Sequence, residues 1–382
     1  MAERTRILLL IPRLRAGGAE QVMGLIARGL SRETHDVHLG LVMSSDAGET
    51  ALPPWVTIHA LGAKRARNGA VPLLRLVWRI RPTVILSGAA EISFLVLLLR
   101  QFFPPHTKVL VRQNGTVSAS LASGTVSGYT RLLYKLLYRR ADRIICQSRA
   151  MAEDLARELR IDRDFLTVLP NPVDLEGIRR ARKDAGGWKG AGPHLLTIGR
   201  LSREKGFDLL IGAMVQVRAR FPDAELIIAG AGPEEAELKQ LCREVKLQQS
   251  VRFMGRVDRP YDLFPGASLF VLSSRYEGMP NAMLEAAAAG LPLVATPASG
   301  GVIDLLRARS GAWLAPEISA QALAATLINA LESLRPEQRF CHQFFPSMGH
   351  KPEHATETAY GGDELPMVES NSQRVTPSEF PH

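Results

Sequence analysis

Glu277 and Glu285 stand eight positions apart in the run Ser274-Arg-Tyr-Glu277-Gly-Met-Pro-Asn281-Ala-Met-Leu-Glu285-Ala-Ala-Ala-Ala-Gly290. The apolar stretch Ser268–Ser273 before it reads as a buried strand, Gly278 and Pro280 break that strand, and Asn281–Ala289 is rich in strong helix formers. Glu277 therefore precedes a helix and Glu285 rides on it. Carboxylates accept from hydroxyl groups. The free amides of the helix start, Met279 to Met283 with Pro280 contributing no N–H, together with the helix dipole favour a diphosphate. The ligand this arrangement suits is a sugar carried on a diphosphate, although the spacing alone also fits two solvated helix charges.

Two cations fit the same chemistry. Arg200 and Lys205 lie five positions apart in Ile198-Gly-Arg-Leu-Ser-Arg-Glu-Lys-Gly206, where they could neutralise a leaving diphosphate as bond cleavage builds negative charge on it. Gly17 and Gly18 offer close backbone approach just before a helix start. Gly230 and Gly232, in Gly-Ala-Gly-Pro233, end another strand but lack the third glycine and the placed acid of a dinucleotide fingerprint.

The elements that must position these residues form two series. Each begins with an apolar strand, a Gly-containing loop and a helix, first from Ile7 and again from His194. Strand candidates follow at 36–42, 84–86, 109–112 and 143–147, then at 226–229, 251–254, 269–273 and 293–295, with helical patterns between. Such alternation predicts an α/β protein of two Rossmann-like domains with parallel sheets, and ligands of such sheets bind beyond the carboxyl ends of the strands, in a cleft between the domains. The expected organisation is a first domain over 1–172, a second over 173–335, and an atypical, largely mobile tail over 336–382.

The string Glu277-Gly-Met-Pro through Gly290-Leu-Pro-Leu-Val-Ala-Thr296 resembles the E-x7-E motif of the retaining glycosyltransferases of family 4. The match extends to the Gly-Arg-Leu loop at 199–206, to Ala16-Gly-Gly-Ala-Glu-Gln-Val22, to Gly230-Ala-Gly-Pro233, to Ala141-Asp-Arg-Ile-Ile-Cys-Gln-Ser148 and to Asn171-Pro-Val-Asp174, covering roughly residues 5–330. The resemblance implies the GT-B architecture, a nucleotide-sugar donor, Glu285 on the ribose hydroxyls, Glu277 near the donor sugar, and Arg200 and Lys205 on the diphosphate. It also implies front-face retention. Gly17, Gly18, Gly230, Gly232 and Gly278 to Asn281 would line the donor. Where many relatives carry a His, this chain reads Val111-Arg112-Gln-Asn114-Gly115, so Arg112 and Asn114 either contact the acceptor or simply finish the strand. In the family the chain ends in a longer helix that returns to the first domain, a pattern from which residues 336–382 depart.

Charge narrows the partners. The net charge is +9; residues 1–180 carry 26 basic and 15 acidic side chains, residues 181–382 carry 21 and 23. The excess in the first half suits phosphate-rich partners. The run Tyr129-Thr-Arg-Leu-Leu-Tyr134-Lys-Leu-Leu-Tyr138-Arg-Arg140 is either a helix packed on the sheet or one lying on an anionic leaflet with its tyrosines at headgroup depth. Nucleic acid is not an expected partner, because no recognition motif accompanies the charge. Cys146, Cys242 and Cys341 have no metal-site spacing, and Asp162-Arg-Asp164 reads as a solvated loop, so no cofactor or metal is expected. No apolar run reaches the length that spans a bilayer. The expectation is a cytoplasmic, peripherally membrane-associated transferase of a hexose or N-acetylhexosamine to a glycan or lipid-linked acceptor, in cell-surface polysaccharide or glycolipid biosynthesis. The alternative is a catalytically silent nucleotide-sugar-binding protein of the same fold.

Overall fold

The computed structural model describes residues 4–14, 18–44, 52–118, 128–182, 187–189, 191–307 and 309–334. Gly17, the tail 336–382 and Cys341 lie outside the described residues.

Two all-parallel sheets carry the chain. The first has seven strands, β1 (Thr5–Ile11), β2 (His35–Leu41), β3 (Thr57–Ala60), β4 (Val84–Ser87), β5 (Lys108–Arg112), β6 (Arg143–Cys146) and β7 (Leu166–Val168), in the order β3-β2-β1-β4-β5-β6-β7. The second has six, β8 (His194–Ile198), β9 (Glu225–Ala229), β10 (Val251–Gly255), β11 (Leu269–Leu272), β12 (Leu293–Ala295) and β13 (Ala312–Leu314), in the order β10-β9-β8-β11-β12-β13. Strand order reverses between β1 and β4 and again between β8 and β11. Register there runs Ile7↔Val84 and Leu269↔Leu195.

Continuous apolar strands are what a sheet covered on both faces requires. In β1, Leu8 and Leu10 enter the core under helices 70–80 and 90–99, while Leu9 and Ile11 enter a second core with Met23 and Ala27 of helix 18–29. The second sheet repeats the division: Leu226 and Ile228 face helices 207–220 and 320–333, and Ile227 and Ala229 face helix 281–288. Ser148 caps helix 149–159 by accepting from the Met151 amide, and Ser319 caps helix 320–333 through Ala322.

Expected and observed strands agree to within a residue or two, and three edge strands, β3, β7 and β13, have no counterpart among the strand candidates. The helix at 128–137 packs on the sheet. Tyr134 and Tyr138 are buried, stacked edge-on at 4.8 Å, with the Tyr138 hydroxyl donating to Gln113 Oε1 at 3.0 Å. The reading that placed these tyrosines at lipid headgroups is thereby corrected: the ring bodies are worth more in the core, and what the helix exposes is Leu132 and Leu136, with the half-buried Lys135 between them.

Candidate donor site between the sheets

The loops leaving β8 and β11, the strands that flank the second switch point, meet closely. Gly206 has φ +61° and a Cβ there would stand 2.2 Å from the Ser273 carbonyl oxygen; Gly230, at φ +148°, would bring a Cβ within 1.8 Å of the Gly199 carbonyl oxygen. Only glycine permits either approach. The Ser273 hydroxyl then donates to the Lys205 carbonyl at 2.9 Å, and Arg275 holds Asp208 through two bonds of 2.7 and 2.6 Å. Burial works against the Asp208 charge, yet Arg275 keeps the carboxyl below the usual carboxylate range.

This scaffold delivers Lys205 to Glu277. The ammonium lies 2.6 Å from Glu277 Oε1, which also accepts from the Ser274 hydroxyl at 2.7 Å. Arg200 is exposed and makes no side-chain bond among the described residues, so the structure brings Lys205 and Glu277 together and leaves the Arg200 guanidinium at the edge of the loop. Gly232 packs against the Leu201 carbonyl of the same loop, where a Cβ would stand 2.2 Å from the oxygen.

Helix 281–288 begins directly beyond, with Pro280 at its N-cap position and no side-chain cap bond. Its start touches the first half of the chain. Asn281 Nδ2 donates to the Gly18 carbonyl at 2.9 Å, and Asn171 Nδ2 donates to Asn281 Oδ1 at 2.6 Å and to the Met279 carbonyl at 3.4 Å. A Cβ on Gly278 would lie 2.7 Å from the Asn114 carbonyl oxygen. Gly18, Gly278, Met279, Pro280 and Asn281 are thus gathered at one helix start, with orphan amides suited to an anion.

Glu285 sits one turn further along and is only 5% exposed. Gln21, from the helix after β1, donates to Glu285 Oε1 at 2.8 Å, and the Tyr261 hydroxyl approaches the same oxygen at 3.3 Å. Burial pushes the Glu285 carboxyl from its ordinary 4.5 up to about 7, against the pull of those two donors.

Arg112 is also buried, at 5% exposure, and it bonds Asn114 Oδ1 and, at 2.5 Å, Asn171 Oδ1. Burial alone lowers its guanidinium to about 10, and no carboxylate pairs with it among the described residues. Asn114 in turn donates to the Gly88 carbonyl at 2.6 Å. Both residues expected at an acceptor therefore also brace the wall of the cleft. Asp162 accepts from the Asp164 amide at 3.1 Å, its carboxylate turned to its own backbone.

Sequence reasoning singled out neither Gln21 nor Asn171, although both stand inside the quoted strings. Their signal was an amide side chain next to a glycine or proline turn, which is uninformative until the two sheets face each other.

Comparison with known proteins agrees with this geometry. Residues 179–342 match the family model of glycosyl transferases group 1, and residues 16–176 match that of glycosyltransferase family 4. An uncharacterized glycosyltransferase of Methanocaldococcus jannaschii is 26% identical over 61% of this chain, which spans 60% of that protein's length. The N-acetylgalactosamine-N,N'-diacetylbacillosaminyl-diphospho-undecaprenol 4-alpha-N-acetylgalactosaminyltransferase of Campylobacter jejuni is 27% identical over 76% of this chain and 80% of its own. Among solved structures, Anabaena HepE in complex with UDP-glucose superposes with a TM-score of 0.71 at 20% identity, covering 86% of this chain and 90% of that one.

Proposed function

The chain belongs to the group 1 glycosyltransferases, with two facing parallel sheets in the GT-B architecture, and on that premise we propose that it moves a hexose or N-acetylhexosamine from a nucleotide sugar to a glycan or lipid-linked acceptor with retention. The observation that carries this reading is the 2.6 Å pair of Lys205 and Glu277 at the start of helix 281–288, at the switch point of the second sheet. The helix amides and the cations Lys205 and Arg200 receive the diphosphate, Glu277 reaches the donor sugar, and Glu285 takes the ribose hydroxyls.

In the step itself the bond from the anomeric carbon to the β-phosphate oxygen breaks, the acceptor oxygen bonds that carbon on the same face, and the acceptor proton passes to the departing phosphate. Arg200 and Lys205 supply the positive charge that the leaving group needs, so the reading calls for no metal. Chelation with EDTA should leave turnover unchanged.

A role in cell-surface polysaccharide or glycolipid synthesis, at the cytoplasmic face of a membrane, follows from the acceptor class and from the basic first half. Leu132 (51% exposed) and Leu136 (61% exposed), with Lys135, offer an apolar and cationic strip to an anionic leaflet. No helix among the described residues is long and apolar enough to cross a membrane. Flotation with anionic and neutral vesicles tests this part; equal, negligible binding to both would overturn it.

The central test is nucleotide release from UDP, GDP and ADP sugars, with and without membrane extract. Turnover of one donor, abolished by Glu277→Ala and by Lys205→Ala, is the expected result. Binding without turnover in every condition would instead leave a silent binding protein.

A further inference from the structure

A cavity of about 460 Å³ opens between the two halves of the chain, and neither Lys205, Glu277 nor Glu285 lines it. Its walls are cationic and apolar. Arg149 reaches it from the first half and Arg307 from the second, with Arg309 beside them and Asp304 the single acid of the lining. Val168, Pro170 and Met279 supply the apolar wall.

Several arginines elsewhere on this surface meet acids. Arg157 pairs with Asp154, Arg180 with Glu176, Arg220 with Glu332 and Arg275 with Asp208. Arg149 and Arg307, both exposed, have no carboxylate within salt-bridge reach among the described residues. The two walls are held close by a glycine: a Cβ on Gly301 would stand 2.9 Å from the Ser148 hydroxyl and 3.2 Å from the Met279 methyl group. Met279 also belongs to the loop of the donor site, whose Gly278 carbonyl accepts from the Ser299 hydroxyl at 3.1 Å. The cavity therefore adjoins the donor site while its cations are not those of the donor's diphosphate.

We propose that this cavity binds a phosphate or diphosphate group carried by the acceptor, held between Arg149 and Arg307, with its neighbouring carbon atoms against Val168, Pro170 and Met279. The proposal rests on the transferase reading and names the acceptor chemistry that reading leaves open. Charge-assisted bonds from two guanidiniums suit phosphate oxygens, and the apolar wall suits a prenyl chain or the face of a sugar ring. Because each half contributes to the pair, an anion that bridges Arg149 and Arg307 binds the closed form better and so draws the halves together.

Calorimetry on the full chain tests this with farnesyl diphosphate, glucose 1-phosphate and farnesol as probes, and UDP, GDP and ADP as references. Arg149→Ala with Arg307→Ala should weaken the phosphate-bearing probe by about tenfold or more and leave the preferred nucleoside diphosphate within about twofold. Lys205→Ala should do the reverse, and the double lysine variant Arg149→Lys with Arg307→Lys should retain most of the probe's affinity. Binding of farnesyl diphosphate alone identifies a lipid carrier, binding of glucose 1-phosphate alone a phosphorylated glycan, and either supports the site. The proposal is overturned if neither phosphate probe binds the intact chain, if farnesol binds as well as farnesyl diphosphate, if the double alanine variant binds like the intact chain, or if Lys205→Ala removes the probe. Failure of every nucleoside diphosphate to bind would sink the donor reading separately.

Discussion

Gln21 and Glu285 lie on helices of different halves of the chain, 264 positions apart in sequence, and share a 2.8 Å hydrogen bond across the cleft. The bond occupies one carboxylate oxygen and orients the other. Gln21→Ala removes a donor to a buried carboxyl, an interaction worth about 1.5 kcal/mol when the acceptor is charged. The KM for the donor should rise about tenfold with a smaller change in kcat. Steady-state nucleotide release over a donor titration measures it, and an unchanged KM would show that Gln21 is a bystander.

The Lys205 and Glu277 pair predicts a different split. Lys205→Ala removes charge needed most as the leaving diphosphate forms, so kcat should fall by about 10²–10³ with the fold intact. Lys205→Arg should recover part of it. Single-turnover release separates this from weakened binding.

Glu285 makes stability depend on pH. Its carboxyl is raised from 4.5 to about 7 chiefly by burial, so between these values the folded chain holds a proton that the unfolded chain has released. The stabilising contribution is full below pH 4.5 and is lost as pH rises through about 7, a change of roughly 3 kcal/mol. Glu285→Gln should flatten that slope in denaturation midpoints taken across the window. A slope as steep in the variant as in the intact chain would place its origin elsewhere.

Gly230 is a backbone requirement. Gly230→Ala forces a Cβ against the Gly199 carbonyl at φ +148° and should cost about 3 kcal/mol or more in urea unfolding. Gly29→Ala is the control, since a Cβ at Gly29 meets nothing within 4 Å. Its effect should stay within about 0.5 kcal/mol.

The strand and helix series was legible because buried parallel strands are runs of Leu, Ile and Val, as in Ile7-Leu-Leu-Leu-Ile11. β3, Thr57-Ile-His-Ala60, β7, Leu166-Thr-Val168, and β13, Ala312-Trp-Leu314, are missing from the candidates because edge strands are short and half-exposed, so neither a continuous nor an alternating pattern develops. The donor loops could be read from local strings. Pairings such as Gln21 with Glu285, or Asn171 with Asn281, could not, because amide side chains carry no periodicity and their partners are set by how the two sheets meet. The tyrosines at 134 and 138 misled for a related reason: helical spacing reveals that Tyr, Leu and Lys share faces, but which face turns inward depends on Phe94 and Gln113, brought there by helix 90–99 and by the loop after β5.

Asn171 lies in the segment that joins the two halves, between Pro170 and Pro172, and it accepts from Arg112 while donating to Asn281. A joint fastened at its own midpoint opens as a latch does, all at once. Parting the halves therefore means breaking, together, the bonds of Asn281 to Asn171 and to the Gly18 carbonyl.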